Sequence, residues 1–213
     1  MPGINLKLAD DFAAGYDKSV LENRWNGPEM VFNAVKEKLK PKSKILDLGI
    51  GTGESSVRFQ QAGHSIIGLD GSKEMLLKCK EKAIGAELIQ HDLEKTPFPF
   101  SNNQFDAVIS NGVFHLIQPV YPVFSEVNRL LKPKELFAFT FEDDKEPNEY
   151  LQLEPGIWEL KTKSGVLTYK YSEKYIAEIL HRNHFEILHK SRFLAYKNKE
   201  LGKDYYFTLI VAK

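Results

Sequence analysis

The chain has 213 residues, 42% of them hydrophobic, with 29 Lys+Arg balanced by 29 Asp+Glu. That length supports one substantial core and a single domain over 1–213, while a formal charge of zero gives no global field to draw in nucleic acid. No apolar stretch approaches the roughly 20 residues of a membrane span. The lone Cys79 excludes an internal disulfide, and an opening Met-Pro-Gly soon followed by Asp10 and Asp11 is no signal-peptide pattern, so a cytoplasmic protein is expected.

Residues 1–40 read as amphipathic helix, with Phe12, Ala13, Tyr16, Met30, Val31, Val35 and Leu39 at helical spacings and a break at Asn26-Gly27-Pro28. A first strand, Lys44–Leu48, leads into a glycine turn and a helix from Ser55 to Ala62 that stops at Gly63. Ser65–Leu69 is a second strand ending at Asp70, and Ser72 caps a helix carrying Met75, Leu76 and Cys79 on one face. Further runs are Ala86–Gln90, ending at His91-Asp92; Phe105–Ser110, ending at Asn111; and Glu135–Phe141, ending at Glu142-Asp143-Asp144. Strands alternating with helices mean a mostly parallel α/β sheet, and polar residues recur at the C-terminal strand edge, where such sheets bind ligands. The pattern loosens over 145–171, tightens into a helix capped by Ser172, and closes with Phe185–Phe193 and Tyr205–Ala212 as an antiparallel pair.

Everything is arranged around Asp47-Leu48-Gly49-Ile50-Gly51-Thr52-Gly53-Glu54. Glycines at a strand end let backbone approach a ligand, and the following helix start offers free N–H groups. A dinucleotide fingerprint needs a third glycine at the sixth place. Counted from Gly49 that place holds Glu54, and counted from Gly51 it holds Ser56, so a ligand without a pyrophosphate fits better.

These residues resemble the class I S-adenosylmethionine-dependent methyltransferases, of the type 11 and type 25 methyltransferase domains. The resemblance runs from about Lys44 to Lys213. It rests on the Asp47–Gly53 loop, on Leu69-Asp70-Gly71-Ser72 with Met75, and on Asp92-Leu93 with Pro97-Phe98-Pro99-Phe100 and Phe105-Asp106-Ala107-Val108. Asp70-Gly71-Ser72 and Tyr16-Asp17 resemble the branch that includes the methyltransferase of the Williams–Beuren region. The family implies a Rossmann-like, doubly wound α/β sheet of seven strands with the last antiparallel and helices on both faces. It also implies S-adenosyl-L-methionine as cofactor and S-adenosyl-L-homocysteine as product; His64, His91 and His189 gather no second ligand type, so no metal is expected.

The implied cofactor residues are Tyr16, closing over the methionine carboxylate; Asp47, holding its ammonium; the loop Gly49, Ile50, Gly51, Thr52 and Gly53; Asp70 with Gly71 at the ribose; Met75 on the adenine face; Asp92 and the Leu93 N–H at the adenine edge; and Asn111 between cofactor and substrate. His115 and Glu142 are the candidate catalytic helpers, each also readable as a local structural residue. Trp25, His115 and Trp158 are candidates for the substrate pocket, with Tyr169 and Tyr171 beside them and Trp158 as a lid. Residues 1–40 form the expected helical lid, and 145–171 the expected substrate-side insertion.

The expected reaction is methyl transfer to an oxygen or nitrogen of a small molecule, by a monomer or weak homodimer, with no nucleic acid or membrane involved. Asn111-Gly112-Val113-Phe114 stands where the amino-methylating branches acting on nucleobases or glutamine amides carry Asn/Asp-Pro-Pro-aromatic, and the Pro-Cys nucleophile of base-C5 methylation is missing, since no cysteine follows a proline. A non-catalytic protein holding the cofactor or its product remains the competing reading. A nicotinamide-dependent oxidoreductase is a further one, since Asp70 alone suits that ribose too.

Overall fold

The computed structural model describes residues 4–143, 149–198 and 202–213. Residues 1–3 of the expected lid, Asp144, and residues 145–148 of the expected insertion lie outside the described residues.

Two helices open the chain, α1 (Ile4–Asn23) and α2 (Gly27–Val35), separated at the anticipated Asn26-Gly27-Pro28 break. The main sheet then builds from β1 (Lys44–Leu48), β2 (Ser65–Asp70), β3 (Glu87–Gln90), β4 (Phe105–Ser110), β5 (Leu131–Glu142), β9 (Ile187–Asn198) and β10 (Lys203–Ala212). Their spatial order is β3-β2-β1-β4-β5-β10-β9. The β1–β2, β1–β4, β2–β3 and β4–β5 pairs are parallel, and β10 runs antiparallel to both β5 and β9. The seven-stranded sheet with a reversed last strand is thus as expected.

Alternation along each strand sorts the side chains into two cores. On one face Leu46, Leu48, Val108, Phe137 and Phe139 pack under α5 (Tyr121–Leu130) and α6 (Glu173–Arg182). On the other, Ile45, Ile66, Ile109 and Leu209 pack under α2, α3 (Val57–Gln61) and α4 (Lys73–Glu81). Each fully buried Leu, Ile or Phe contributes about 1.5–3 kcal/mol through lost contact with water. Ser72 and Ser172 cap α4 and α6 as their sequence positions suggest, each hydroxyl accepting the N–H three residues on, from Met75 and Tyr175.

Three local features differ from the sequence expectation. The first turn after the glycine loop is not yet helical, so α3 begins at Val57 rather than Ser55. The helix α5 went unanticipated, although Pro122 stands in its first turn and Val123, Phe124, Val127 and Leu130 form its buried stripe. The segment that reads as loose folds as a second antiparallel sheet, β6 (Leu151–Glu154), β7 (Ile157–Lys161) and β8 (Leu167–Tyr171), with the two-residue turn Pro155-Gly156 between its first strands. It docks at the C-terminal edge of the main sheet, where the Tyr171 hydroxyl donates to the Ile117 carbonyl.

Candidate active site

β1 ends in the glycine loop, and the loop is shaped by what crowds it. Gly49 sits at φ +75°, and a Cβ there would stand 2.4 Å from the Val113 side chain. Only glycine satisfies both conditions. The loop is then fixed to the next strand: Gly51 N–H donates to Asp70 Oδ2 at 2.8 Å, and Ser72 N–H donates to Asp70 Oδ1 at 2.8 Å. Burial pushes the Asp70 carboxyl up while these backbone N–H groups oppose the shift. Each oxygen retains a lone pair, and Asp70 lines a cavity of about 390 Å³.

Gly49, Gly51, Gly71, Met75, Asp92 and Leu93 line the same cavity, as does Tyr16 from α1. Asp92 is oriented by the Glu94 N–H at 3.1 Å and by Lys95 Nζ at 3.2 Å. Burial, followed by the nearby carboxylates Asp70, Glu54, Asp17 and Asp47, lifts the Tyr16 phenol to about 12, so it stays a neutral donor.

Other expected residues act from behind the wall. Asp47, 1% exposed, faces α3 and accepts from Ser56 Oγ at 2.7 Å. Burial pushes its carboxyl up to about 7, against the lowering by Ser56. Ile50 packs on Gly68, Gly53 packs on Cys79 and Ile84, and Thr52 Oγ1 donates to Asp17 Oδ1 at 2.6 Å, tying the loop to α1. The Asn111 amide is committed on both sides, donating to Ser55 Oγ at 2.9 Å and accepting from Thr140 Oγ1 at 3.0 Å. Neither cavity is lined by Asp47, Ile50, Thr52, Gly53 or Asn111. Gly112, one residue on from Asn111, lines both.

A second cavity of about 750 Å³ adjoins the first, and Asn5, Ala9, Tyr16, Met75, Gly112 and Leu116 belong to both. Its walls include Phe12, Trp25, His115, Tyr196 and Phe207. Burial lowers the His115 imidazole to about 4, so the ring is neutral near pH 7. A base that weak is poorly matched to take a proton at neutral pH.

α1 lies across both cavities, and residues that sequence reasoning missed hold it there. Asp10 Oδ1 accepts from Ser72 Oγ at 2.5 Å and from Glu74 N–H at 3.2 Å, so α1 supplies an acceptor at the start of α4. Asn5 bonds to Leu116 and Leu167. Lys82 bridges Asp17 at 2.9 Å and Glu54 at 2.6 Å. The recurrent polar residues on the first helix (Asn5, Asp10, Asp17) were the available signal, since they interrupt its apolar stripe toward the glycine loop.

Known proteins are similar to this chain in sequence and in fold. Residues 46–139 match the family described as a methyltransferase domain. An uncharacterized methyltransferase of Synechocystis sp. is 31% identical over 131 residues, covering 58% of this chain and 60% of that protein. The fold superposes on an S-adenosylmethionine-dependent methyltransferase of Methanosarcina mazei with a TM-score of 0.72 at 18% identity, over 84% of this chain and 95% of that one. Over residues 46–139 this chain is similar to the methyltransferase domain family, and it shares the fold of S-adenosylmethionine-dependent methyltransferases. A Burkholderia thailandensis 1,6-didemethyltoxoflavin-N1-methyltransferase shares the methyltransferase fold across 99% of this chain and 92% of its own, at a TM-score of 0.68 and 17% identity. The match spans less than two thirds of the Synechocystis relative, and 53% of a demethylmenaquinone methyltransferase from Renibacterium salmoninarum.

The smaller cavity suits the cofactor named for those similar proteins, S-adenosylmethionine, in kind and size. Asp70 presents a fixed bidentate acceptor for paired hydroxyls, and 390 Å³ lies in the roughly 300–1,000 Å³ range of small-molecule sites. Two expected residues are placed elsewhere. Glu142 lies outside both cavities in a buried ion pair, 3.3 Å from Lys170 Nζ, because β8 brings that lysine against the end of β5. Trp158 is not the lid. It pairs with Lys170 in register, whereas Leu167 and Tyr169 are the β8 residues that line cavities, so the two-residue period puts Trp158 on the opposite face. Trp25, by contrast, lines the larger cavity.

Proposed function

We propose that this protein transfers a methyl group from S-adenosylmethionine to an oxygen or nitrogen of a small-molecule acceptor. The observation that carries the reading is the meeting of two cavities at Tyr16, Met75 and Gly112, one with the fixed Asp70 carboxylate and the other with aromatic walls. The Burkholderia neighbour, described with a bound small molecule and S-adenosylhomocysteine, supports it by analogy of fold.

In this reading Asp70 accepts from both ribose hydroxyls, Asp92 accepts from the adenine amino group, and the Leu93 N–H serves a ring nitrogen. Met75 covers the adenine, Tyr16 donates to the methionine carboxylate, and Asp47 supplies the negative charge behind its ammonium. The cofactor, when bound, supplies a methyl carbon on a positively charged sulfur, open to in-line displacement. The chain's own contribution is to align the acceptor and exclude water through α1 and β8; such positioning is worth roughly 7–11 kcal/mol of the barrier. No side chain has to be covalently engaged. The domain is read as 1–213, with 1–40 as lid, working in the cytoplasm as a monomer or weak homodimer without metal or nucleic acid.

Calorimetry with S-adenosylmethionine, S-adenosylhomocysteine and NAD, followed by a methyl-labelled turnover screen, tests this. The first two should bind and NAD should not. Preferred NAD binding would sink the proposal, and tight cofactor binding without turnover across a broad panel would leave a binding protein.

A further inference from the structure

The larger cavity has walls built for a flat ring. Trp25 is held edge-on to Phe207 at 5.4 Å and to Tyr196 at 6.0 Å, and His115 is edge-on to Phe207 at 5.3 Å. Two glycines clear the space Trp25 occupies: a Cβ on Gly27 would stand 2.4 Å from its ring, and one on Gly112 would stand 3.0 Å from it. The indole is therefore fixed before any ligand arrives, which spares the ordering cost of a mobile side chain. From the other side α1 offers Phe12 and Tyr16, themselves edge-to-face at 5.9 Å.

Asn5, Asp11, Ser19, Asn23 and Asn198 add polar groups to this cavity, and His115 is the lining residue with an unmatched buried atom. His115 Nδ1 is the single buried side-chain nitrogen or oxygen among the described residues without a hydrogen-bond partner. Buried polar atoms are nearly always matched, and an unmatched one needs a reason. A neutral imidazole offers one donor and one acceptor, which a hydroxyl or a ring N–H can meet.

We propose that the methyl acceptor is a planar aromatic or heteroaromatic compound that stacks within the Trp25–Phe207–Tyr196 walls and hydrogen-bonds His115 through its hydroxyl or ring N–H. The inference rests on the methyltransferase reading and adds the acceptor's class to it. In the step itself the acceptor atom's lone pair forms the new bond to the methyl carbon. The carbon–sulfur pair stays with sulfur, which becomes neutral, and the acceptor's proton passes to water. His115 selects and orients the acceptor rather than taking that proton.

Trp25 and Trp158 are the only tryptophans, so Trp158→Phe leaves Trp25 as the sole indole reporter. Its fluorescence is titrated with 2-naphthol, 2-methoxynaphthalene, cyclohexanol and hexylammonium, with and without S-adenosylhomocysteine, whose own binding is measured by calorimetry. The expected result is quenching by 2-naphthol below about 1 mM, at least tenfold tighter than cyclohexanol or hexylammonium. His115→Phe should weaken 2-naphthol about tenfold and leave 2-methoxynaphthalene unchanged, and His115→Gln should restore most of the loss. Quenching by hexylammonium at equal concentration, no quenching by either naphthalene, or equal effects of His115→Phe on both would overturn the proposal. Bound S-adenosylhomocysteine without naphthol binding defeats this inference alone, whereas naphthol binding without S-adenosylhomocysteine binding defeats the cofactor reading alone.

Discussion

Asn5 on α1 and Leu167 on β8, 162 positions apart, bond to each other as neighbouring strands do: Asn5 Nδ2 donates to the Leu167 carbonyl at 2.9 Å, and the Leu167 N–H donates to Asn5 Oδ1 at 2.9 Å. The same Nδ2 also donates to the Leu116 carbonyl at 3.0 Å. One amide thus fastens the start of the strap to both the second sheet and the turn after β4. Asn5→Ala removes all three, so closure of α1 over the cavities should lose about 3 kcal/mol, at roughly 1 kcal/mol per net hydrogen bond. Stopped-flow release of S-adenosylhomocysteine should accelerate by about 100-fold with little change in Tm. Unaltered release would detach α1 from retention of the cofactor.

Asp70 offers a second, independent test. Asp70→Asn keeps the volume and one accepting oxygen but removes the charge and the bidentate acceptor. Affinity for S-adenosylhomocysteine should fall by about 1.5–3 kcal/mol, the worth of a hydrogen bond to a charged group. Calorimetry reads it directly. A folded variant of undiminished affinity contradicts the ribose role.

Asp47 ties cofactor affinity to pH. Its carboxyl is pushed up to about 7 by burial, and only the ionised form attracts an ammonium. Below about pH 7 the cofactor must first displace a proton, so the dissociation constant should rise about tenfold per pH unit and level off above. In Asp47→Asn the slope should vanish. Stability moves the other way. Between about pH 4 and 7 the folded protein keeps a proton the unfolded chain has released, so this group's contribution to stability falls as pH rises through that window. Removing it with Asp47→Asn should raise Tm at pH 8, by roughly 2–4 °C per kcal/mol recovered.

His115 predicts a flat profile. With burial holding its imidazole near 4, the ring is already neutral from pH 6 upward. At saturating cofactor and acceptor, kcat should show no limb near 6–7, where an ordinary histidine base would produce one. A limb there that disappears in His115→Gln would restore the general-base role.

Much of this was legible in the chain because strand and loop signals are local. The glycine turn after β1, Asp70 at the end of β2 and the serine caps depend on residues adjacent in sequence, and each lies at the chain position read for it. The second sheet was not legible. Its strands are only four or five residues long, and β6 is exposed throughout, so the brief alternation of Leu151-Gln152-Leu153-Glu154 marks no buried face. Glu142 was misplaced because its partner Lys170 comes from that unseen sheet. Trp158 was misplaced for a related reason: a face can be assigned only once the register with β8 is known. Asn111 shows the reverse limit, since its position at the strand edge was right while its amide is spent on Ser55 and Thr140.

Tyr16 stands in the wall of both cavities. The helix α1 therefore borders both chambers, through Asn5, Ala9 and Tyr16. In the proposed reaction cofactor and acceptor would both have to come and go past this one helix. Turnover would be paced by the unfastening of one helix rather than by the methyl shift.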